Sequence, residues 1–219
     1  MSIHKHGYTY DYPRPAVTTD IVVLAITEGK LGTLLIRRGE DPYREAWALP
    51  GGFLKEGETI EACAARELVE ETGVSHTPLH QFGIYSAAGR DPRGWVVSVG
   101  YLACVHRHAI HPKAGSDAAA IGWHSVDAIP DLAFDHATIL ADSLAALRSR
   151  IHTEPLLPRM ISEPFTLAAL QDAMEVVVGA PVDKRNFRRE MLESGWIVET
   201  DQFTAGRHRP ARLYARVQA

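Results

Sequence analysis

Cysteine is scarce in this 219-residue chain: Cys63 and Cys104 are the two, and they stand far apart. Neither a CxxC metal site nor a disulfide framework can be built from them, so buried reduced thiols are expected. Long apolar runs are missing as well, and no stretch reaches the roughly 20 residues that a membrane helix needs. Residues 1–15 hold His4, Lys5, His6, several tyrosines and two prolines, but no apolar run that would make a signal-peptide core. This predicts a cytoplasmic protein with no membrane partner. Nor does one sign of charge dominate: 23 Lys and Arg against 27 Asp and Glu give a net charge of −4. That excludes a polycation coating nucleic acid and leaves room for local basic patches. No internal repeat and no low-complexity tract is found. What is present is ordinary globular composition, 46% hydrophobic and 23% charged. At roughly 150 residues per domain, the length suits one large domain or a medium one with a small companion.

Charge and proline divide the chain. Residues 1–150 carry a net −4 and residues 151–219 a net of zero, so the tail is relatively more basic. Between them, Pro155, Pro158 and Pro164 punctuate a segment read as a linker over 151–163. The expected division is therefore 1–150, linker, and 164–219. In the first part, Asp20–Ile26 and Thr33–Arg37 flank a glycine-containing turn and predict a hairpin. Leu79–Ser86, Trp95–Val105 and Ile121–Val126 predict further strands. Thr59–Thr72, free of Gly and Pro and stopped by Gly73, predicts a helix with a left-handed cap, and Ala137–Arg150 predicts a second.

The chemistry concentrates on the first helix. Glu67, Glu70 and Glu71 stand at i, i+3 and i+4, which puts three carboxylates on one helical face near an end whose dipole opposes them. Bound cations relieve that repulsion, and oxygen-only ligands suit Mg²⁺ or Mn²⁺ holding a substrate phosphate. Arg66 is placed to clamp a neighbouring carboxylate, and the glycine pair Gly51-Gly52 lets backbone carbonyls approach the same ions. Taken alone, three glutamates are also what a solvated helix face carries. The wider spacing decides otherwise. Gly52, five residues, Glu58, seven residues, Arg66-Glu67-Leu68, one residue, Glu70-Glu71, one residue, Gly73-Val74 fills every fixed position of the Nudix box.

The chain thus resembles Nudix hydrolases, which use divalent metal to hydrolyse a nucleoside diphosphate linked to another group. The resemblance implies that Glu67 and Glu71, helped by Glu70 and the Gly51 carbonyl, hold metal, while Glu58 and Arg66 support the loop and helix. Outside the box, Gly89-Arg90-Asp91-Pro92-Arg93-Gly94 resembles a loop of Nudix proteins that handle ADP-ribose. With Arg37 and Trp47, it nominates Arg90, Asp91 and Arg93 as ligand-binding residues. Asp117 matches where relatives often place an acid near the metals and is the candidate general base, although Ser116 stands where a second acid is often found. In Leu132-Ala133-Phe134-Asp135-His136, a core-facing Phe134 and a helix-capping Asp135 are expected. Alternation would put His106 and His108 on one strand face, but no Cys or third spaced ligand completes a zinc set, and with His111 they are read as surface histidines.

The tail reads differently. Leu167, Leu170, Met174 and Val177 make an apolar helical stripe, and Gly179 and Pro181 break the chain. Asp183 can then cap a second helix in which Phe187 and Met191 face one way and Lys184, Arg185, Arg188 and Arg189 crowd the rest. Trp196–Glu199 and Arg212–Val217 predict strands around a basic wing holding Arg207, His208 and Arg209. A helix, turn and basic helix followed by a wing is the layout of a DNA-reading module, although a solvated basic face is the plainer alternative.

Together, box and tail resemble Nudix-related transcriptional regulators of NAD metabolism, over almost the whole chain. The resemblance implies a Nudix α/β/α sandwich with a mixed sheet, followed by a small winged helix-turn-helix. It also implies a homodimer that binds operator DNA and releases it when ADP-ribose or a related nucleotide occupies the Nudix domain. Many such regulators have an eroded box, whereas this one is complete. Two readings therefore stand: an ADP-ribose-responsive repressor, with or without hydrolysis of its effector to AMP and ribose 5-phosphate, or a Mg²⁺-dependent ADP-ribose pyrophosphatase whose tail serves dimerisation or substrate cover; a regulator tuned to a different sugar or nucleotide is a third.

Overall fold

The computed structural model describes residues 11–109, 118–205 and 210–217. Strand β1 (Ala16–Thr27) sets the layering because it is apolar on both faces. Ile21, Val23 and Ala25 pack on one side with Ala64 and Leu68 of helix α1 (Ile60–Thr72). Val22 and Leu24 pack on the other with Ile139, Leu140 and Leu147 of helix α2 (His136–Arg150). A strand without a polar face belongs in the middle of a sandwich.

Around it, β2 (Lys30–Arg38) pairs antiparallel and β6 (Val96–Cys104) parallel, so the sheet is mixed. The short strands β3 (Trp47–Ala48) and β4 (Gly51–Phe53) add to β2 and β1. Strand β5 (His80–Tyr85) forms the edge beyond β6, and β7 (Ala118–Ser125) pairs with β2. The result is the expected α/β/α sandwich with a mixed seven-stranded sheet. Helix α1 starts where the Thr59 hydroxyl accepts from the Ala62 amide and stops at Gly73, whose φ of 73° directs its own amide onto the Val69 carbonyl.

Helices α3 (Leu167–Val178) and α4 (Lys184–Glu193) follow, with the two-stranded wing β8 (Ile197–Phe203) and β9 (Arg212–Arg216). The stripe Leu167, Leu170, Met174 and Val177 is buried, as are Phe187 and Met191. Thr166 and Asp183 cap the two helices through their side chains. Phe165 ties the start of α3 to the wing by a two-way backbone bridge with Tyr214.

The segment read as a linker is packed in place. Ile151, Leu156, Leu157 and Met160 are all buried, and they join the α2 side of the sandwich to the tail in one continuous apolar cluster. Prolines bend the chain there, but the aliphatic residues between them fill the seam. Arg148 of α2 adds a polar tie, its Nε donating to the Val177 carbonyl at 3.1 Å. Among the described residues no helix is long and apolar enough to cross a membrane.

Candidate functional site

A pocket of about 280 Å³ opens where β1, β4, α1 and the start of α2 meet. Its geometry follows from the glycine pair. A Cβ on Gly51 would overlap the Thr19 carbonyl of the paired strand, and one on Gly52 would overlap the Glu67 carboxylate. The close approach of β4 to β1 therefore needs Gly51, while the space beside Gly52 is taken by the Glu67 carboxylate. The Gly51 amide donates to Glu71 Oε2 at 2.8 Å and so fixes the head of that side chain.

Arg66 organises the rest of the box. Its Nε and Nη2 grip the two Glu58 oxygens at 2.8 and 3.0 Å, Nη1 contacts both Glu67 and Glu70, and Nη2 also reaches the Phe53 carbonyl. The guanidinium hydrogen bonds hold the Glu58 carboxyl down at about 2, helped by the Lys55 amide. Reciprocally, the carboxylates, Glu58 foremost, raise the Arg66 pKa despite its desolvation.

Glu67 and Glu71 line the pocket, whereas Glu70 is half exposed and engages Arg66 and, at 3.9 Å, Lys55. Thus two of the three helix carboxylates converge on the cavity, and the third guards its outer side. Burial pushes the Glu71 carboxyl up to about 8, and the charges of Glu67 and Asp20 add to the rise against the pull of the Gly51 amide. A buried acid made this uncomfortable by neighbouring acids is suited to a cation. Among the described residues no three His, Cys, Asp or Glu groups already form a metal cage. The donors present, two carboxylates beside a backbone turn, nevertheless fit a hard divalent ion that keeps waters and takes phosphate oxygens.

Behind the pocket lies a polar network that the sequence did not announce. Asp20 is buried in β1 and accepts from Ser98 Oγ, Arg90 Nη2 and His136 Nε2, the last two at 3.3 Å. Burial alone would raise its pKa, but His136, Ser98 and Arg90 outweigh that and lower it. His136 Nδ1 accepts from the Leu49 amide at 2.9 Å, so the proton sits on Nε2, facing Asp20. Arg90, with a side chain only 4% exposed, is bidentate to Asp135 at 2.9 and 2.7 Å. Asp135 therefore stands at the start of α2 without a side-chain cap bond, contrary to expectation, because its carboxylate is committed to Arg90. Phe134 likewise departs from its expected core position. Its ring lines the pocket, and its φ of 53° is one that bulky residues rarely adopt.

The other nominated residues divide. Asp91 is buried and accepts from the Arg93 amide and guanidinium, which aims Arg93 across the Phe53 ring at 4.7 Å. Arg93 and Asp91 line the pocket. Arg37 does not, since it pairs with Glu45 on the surface, and its neighbour Arg38, on the opposite face of β2, lines the pocket instead. Trp47 also lies off the pocket, its ring edge-on to His124 and its carbonyl holding the Ala133 amide. Asp117 lies outside the described residues. Asp20, Ser98 and His136 were missed; a lone aspartate entering an otherwise apolar strand was the available signal for the first.

On the tail, Lys184, Arg185, Arg188 and Arg189 are all exposed on α4 while Phe187 and Met191 anchor its inner face. Arg207 and Arg209 lie outside the described residues.

Comparison with known proteins accounts for both halves. The Nudix domain family matches residues 16–145, and the NrtR DNA-binding winged helix domain matches residues 158–215. The chain belongs to the NrtR family. It is 38% identical over 208 residues to the "ADPR responsive transcriptional repressor NtrR" of Acinetobacter baylyi, covering 93% of this chain and 83% of that protein. The crystal structure of Shewanella oneidensis NrtR complexed with a 27mer DNA superposes with a TM-score of 0.82 at 31% identity. The match covers 92% of this chain and 93% of that one. The Nudix half alone is 40% identical over 131 residues to the ADP-ribose pyrophosphatase of Methanocaldococcus jannaschii, 60% of this NrtR relative and 74% of that enzyme.

Proposed function

We propose that this chain is an ADP-ribose-responsive DNA-binding transcriptional repressor that acts in the cytoplasm as a homodimer. The observation that carries the reading is one continuous apolar core linking a complete Nudix pocket to a winged helix with an exposed basic helix. Paired winged helices suit two-fold related half-sites. Lys184, Arg185, Arg188 and Arg189 on α4 meet the DNA, joined by Arg207 and Arg209 of the wing. Phosphate contacts from these side chains supply affinity, and contacts to base edges supply specificity.

In the pocket, Glu67 and Glu71, with the Gly51 carbonyl, hold Mg²⁺ or Mn²⁺, and Glu70 supports them from outside. When bound, such an ion supplies Lewis acidity at the diphosphate and an activated water. The protein's part is to hold these donors in place. Glu58 fixes Arg66, Arg66 fixes Glu67, and the Gly51 amide fixes Glu71, so little reorganisation is left for ligand binding. Arg93, aimed by Asp91, faces the diphosphate, while Arg90 holds the pocket wall through Asp20 and Asp135. Arg37 and Trp47 brace the neighbouring segments, and Asp117 is the proposed general base.

The complete box favours a second reading, that of a working ADP-ribose pyrophosphatase. The two part on turnover. Incubating the full chain with ADP-ribose and Mg²⁺ and following AMP, with Glu71→Gln beside it, decides. Steady AMP release lost in the variant means a regulator that destroys its own signal. A folded protein that binds ADP-ribose but releases no AMP is a sensor only.

A further inference from the structure

The tail meets the Nudix sheet at the far end of the two strands that carry Asp20 and Ser98. From Asp20 to Ile26, β1 advances about 20 Å at about 3.3 Å per residue, so its two ends serve different places. Strands β1 and β6 run parallel as far as Leu24 and Cys104, and the Val105 amide still donates to the Leu24 carbonyl. The chain then bends in a short 3-10 turn, Arg107–Ala109. His106, Arg107 and His108 thereby form, with Ile26 and Glu28, one wall of a second cavity of about 510 Å³. Ile161, Ser162, Phe165, Ala169 and Leu213 of the tail are on its other side. A cavity of this size is in the range that takes small molecules.

The lining is apolar below and rich in donors above. Ile26, Ile161 and Leu213 stay half-exposed there, whereas Met160 and Phe165 beside them are buried. His106, read from the sequence as a surface residue, is half-buried, and a hydrogen bond between its Nε2 and Ser162 Oγ fixes the ring across the seam. The His108 ring stands 5.1 Å away, centroid to centroid, tilted by 53°. Among the described residues neither imidazole makes a further hydrogen bond, which leaves Nδ1 of His106 and both nitrogens of His108 for a ligand. The carboxylate in the lining, Glu28, is 82% exposed and is matched by Arg107 at 3.1 Å. The Arg216 charge acts on both His106 and Arg159. Glu163 answers Arg216 at 3.4 Å, while Arg159 forms no ion pair among the described residues. Burial, His108 and Arg216 together disfavour a charged His106, a penalty that an anion placed between the rings removes. Donors and positive charge thus exceed carboxylates above an apolar floor.

We propose that this seam cavity is a second ligand site, taking a compact aromatic carboxylate whose ring rests on Ile26, Ile161 and Leu213 and whose acid group is received by His106 and His108. The site is independent of the ADP-ribose reading, since none of its residues lines the first pocket. Its walls come from both the sheet and the tail, so an occupant joins them, and its affinity depends on how they sit together.

Isothermal titration calorimetry on the full chain tests it with 2-naphthoate and with 2-naphthamide, which keeps the ring and removes the charge. Charged hydrogen bonds predict that the carboxylate binds at least about 10-fold tighter than the amide, and that His106→Ala and His108→Ala each weaken it about 10-fold while leaving the amide unchanged. Ala169→Phe, at an exposed helical position whose larger side chain enters the cavity, abolishes binding of both. Folded wild-type protein that binds neither probe overturns the proposal, as does equal affinity for the two. Full 2-naphthoate binding by Ala169→Phe overturns it as well, and binding lost in Arg93→Ala but kept in Ala169→Phe assigns the probe to the first pocket instead. Should a histidine variant fail to fold, Ala169→Phe decides.

Discussion

Replacing Arg90 by alanine should be costly in a way that replacing Arg37 is not, although both arginines were equally plausible ligand contacts in the sequence. The Arg90 side chain is 4% exposed and serves two carboxylates, Asp135 through a bidentate pair and Asp20 through Nη2. Removing it leaves Asp20, itself only 10% exposed, with His136 and Ser98 alone, and leaves Asp135 with no capping bond in exchange. Breaking a buried pair from one side costs about 3–5 kcal/mol. At about 2–4 °C per kcal/mol for a chain of this size, the melting temperature should fall by about 6–20 °C. Arg37 and Glu45 are 45% and 53% exposed, and such a surface pair contributes about 0–1 kcal/mol. Thermal unfolding followed by circular dichroism at pH 7 without ligand reads the difference. If Arg90→Ala melts within about 2 °C of wild type, the network does not hold the pocket wall and Arg90 is free to act as a ligand contact.

Further outcomes follow from the same geometry. Glu71→Gln should abolish the Mg²⁺-dependent rise in melting temperature without lowering the melting temperature of the metal-free protein, because it removes a carboxylate that burial already disfavours. A clear loss of metal-free stability would contradict that account. The Glu58 carboxyl is held at about 2, below its value in the unfolded chain, so its contribution is present above the unfolded pKa and lost as pH falls through about 2. Melting curves of wild type and Glu58→Gln should therefore differ at pH 7 and converge as pH drops from about 4.5 toward 2; a constant gap would rule this out. Arg188→Ala and Arg189→Ala should each weaken DNA binding and reduce the salt slope by about 1 for every phosphate left without its arginine, with ligand affinity intact.

Most of the architecture was legible because it is written in long periodic segments. The β1–β2 hairpin, α1 with its Thr59 and Gly73 caps, and the stripes of α3 and α4 all appear where spacing put them. The two-residue β3 and three-residue β4 were not legible, since Pro50 and the glycine pair between apolar residues carry no alternation to read. The pocket was legible where a fixed spacing defines it and illegible where tertiary contacts do. Alternation puts Arg37 and Arg38 on opposite faces of β2, but nothing local says which face borders the pocket; the fold gives that face to Arg38. Asp135 reads as a helix cap until Arg90, 45 residues away, takes its carboxylate. The packed 151–163 segment shows the same limit, because proline content reports bends and says nothing of what the aliphatic residues between them bury.

The central claim is that pocket and basic helix are coupled, and one measurement addresses it directly. Duplexes selected by the full-length protein from a random DNA pool would be titrated with Glu71→Gln protein by fluorescence anisotropy, with and without saturating ADP-ribose, so that turnover cannot remove the effector. The account predicts that ADP-ribose weakens binding to the selected duplex, while AMP together with ribose 5-phosphate does not. Identical affinity with and without ADP-ribose, in a protein that binds both ligand and DNA, would contradict it.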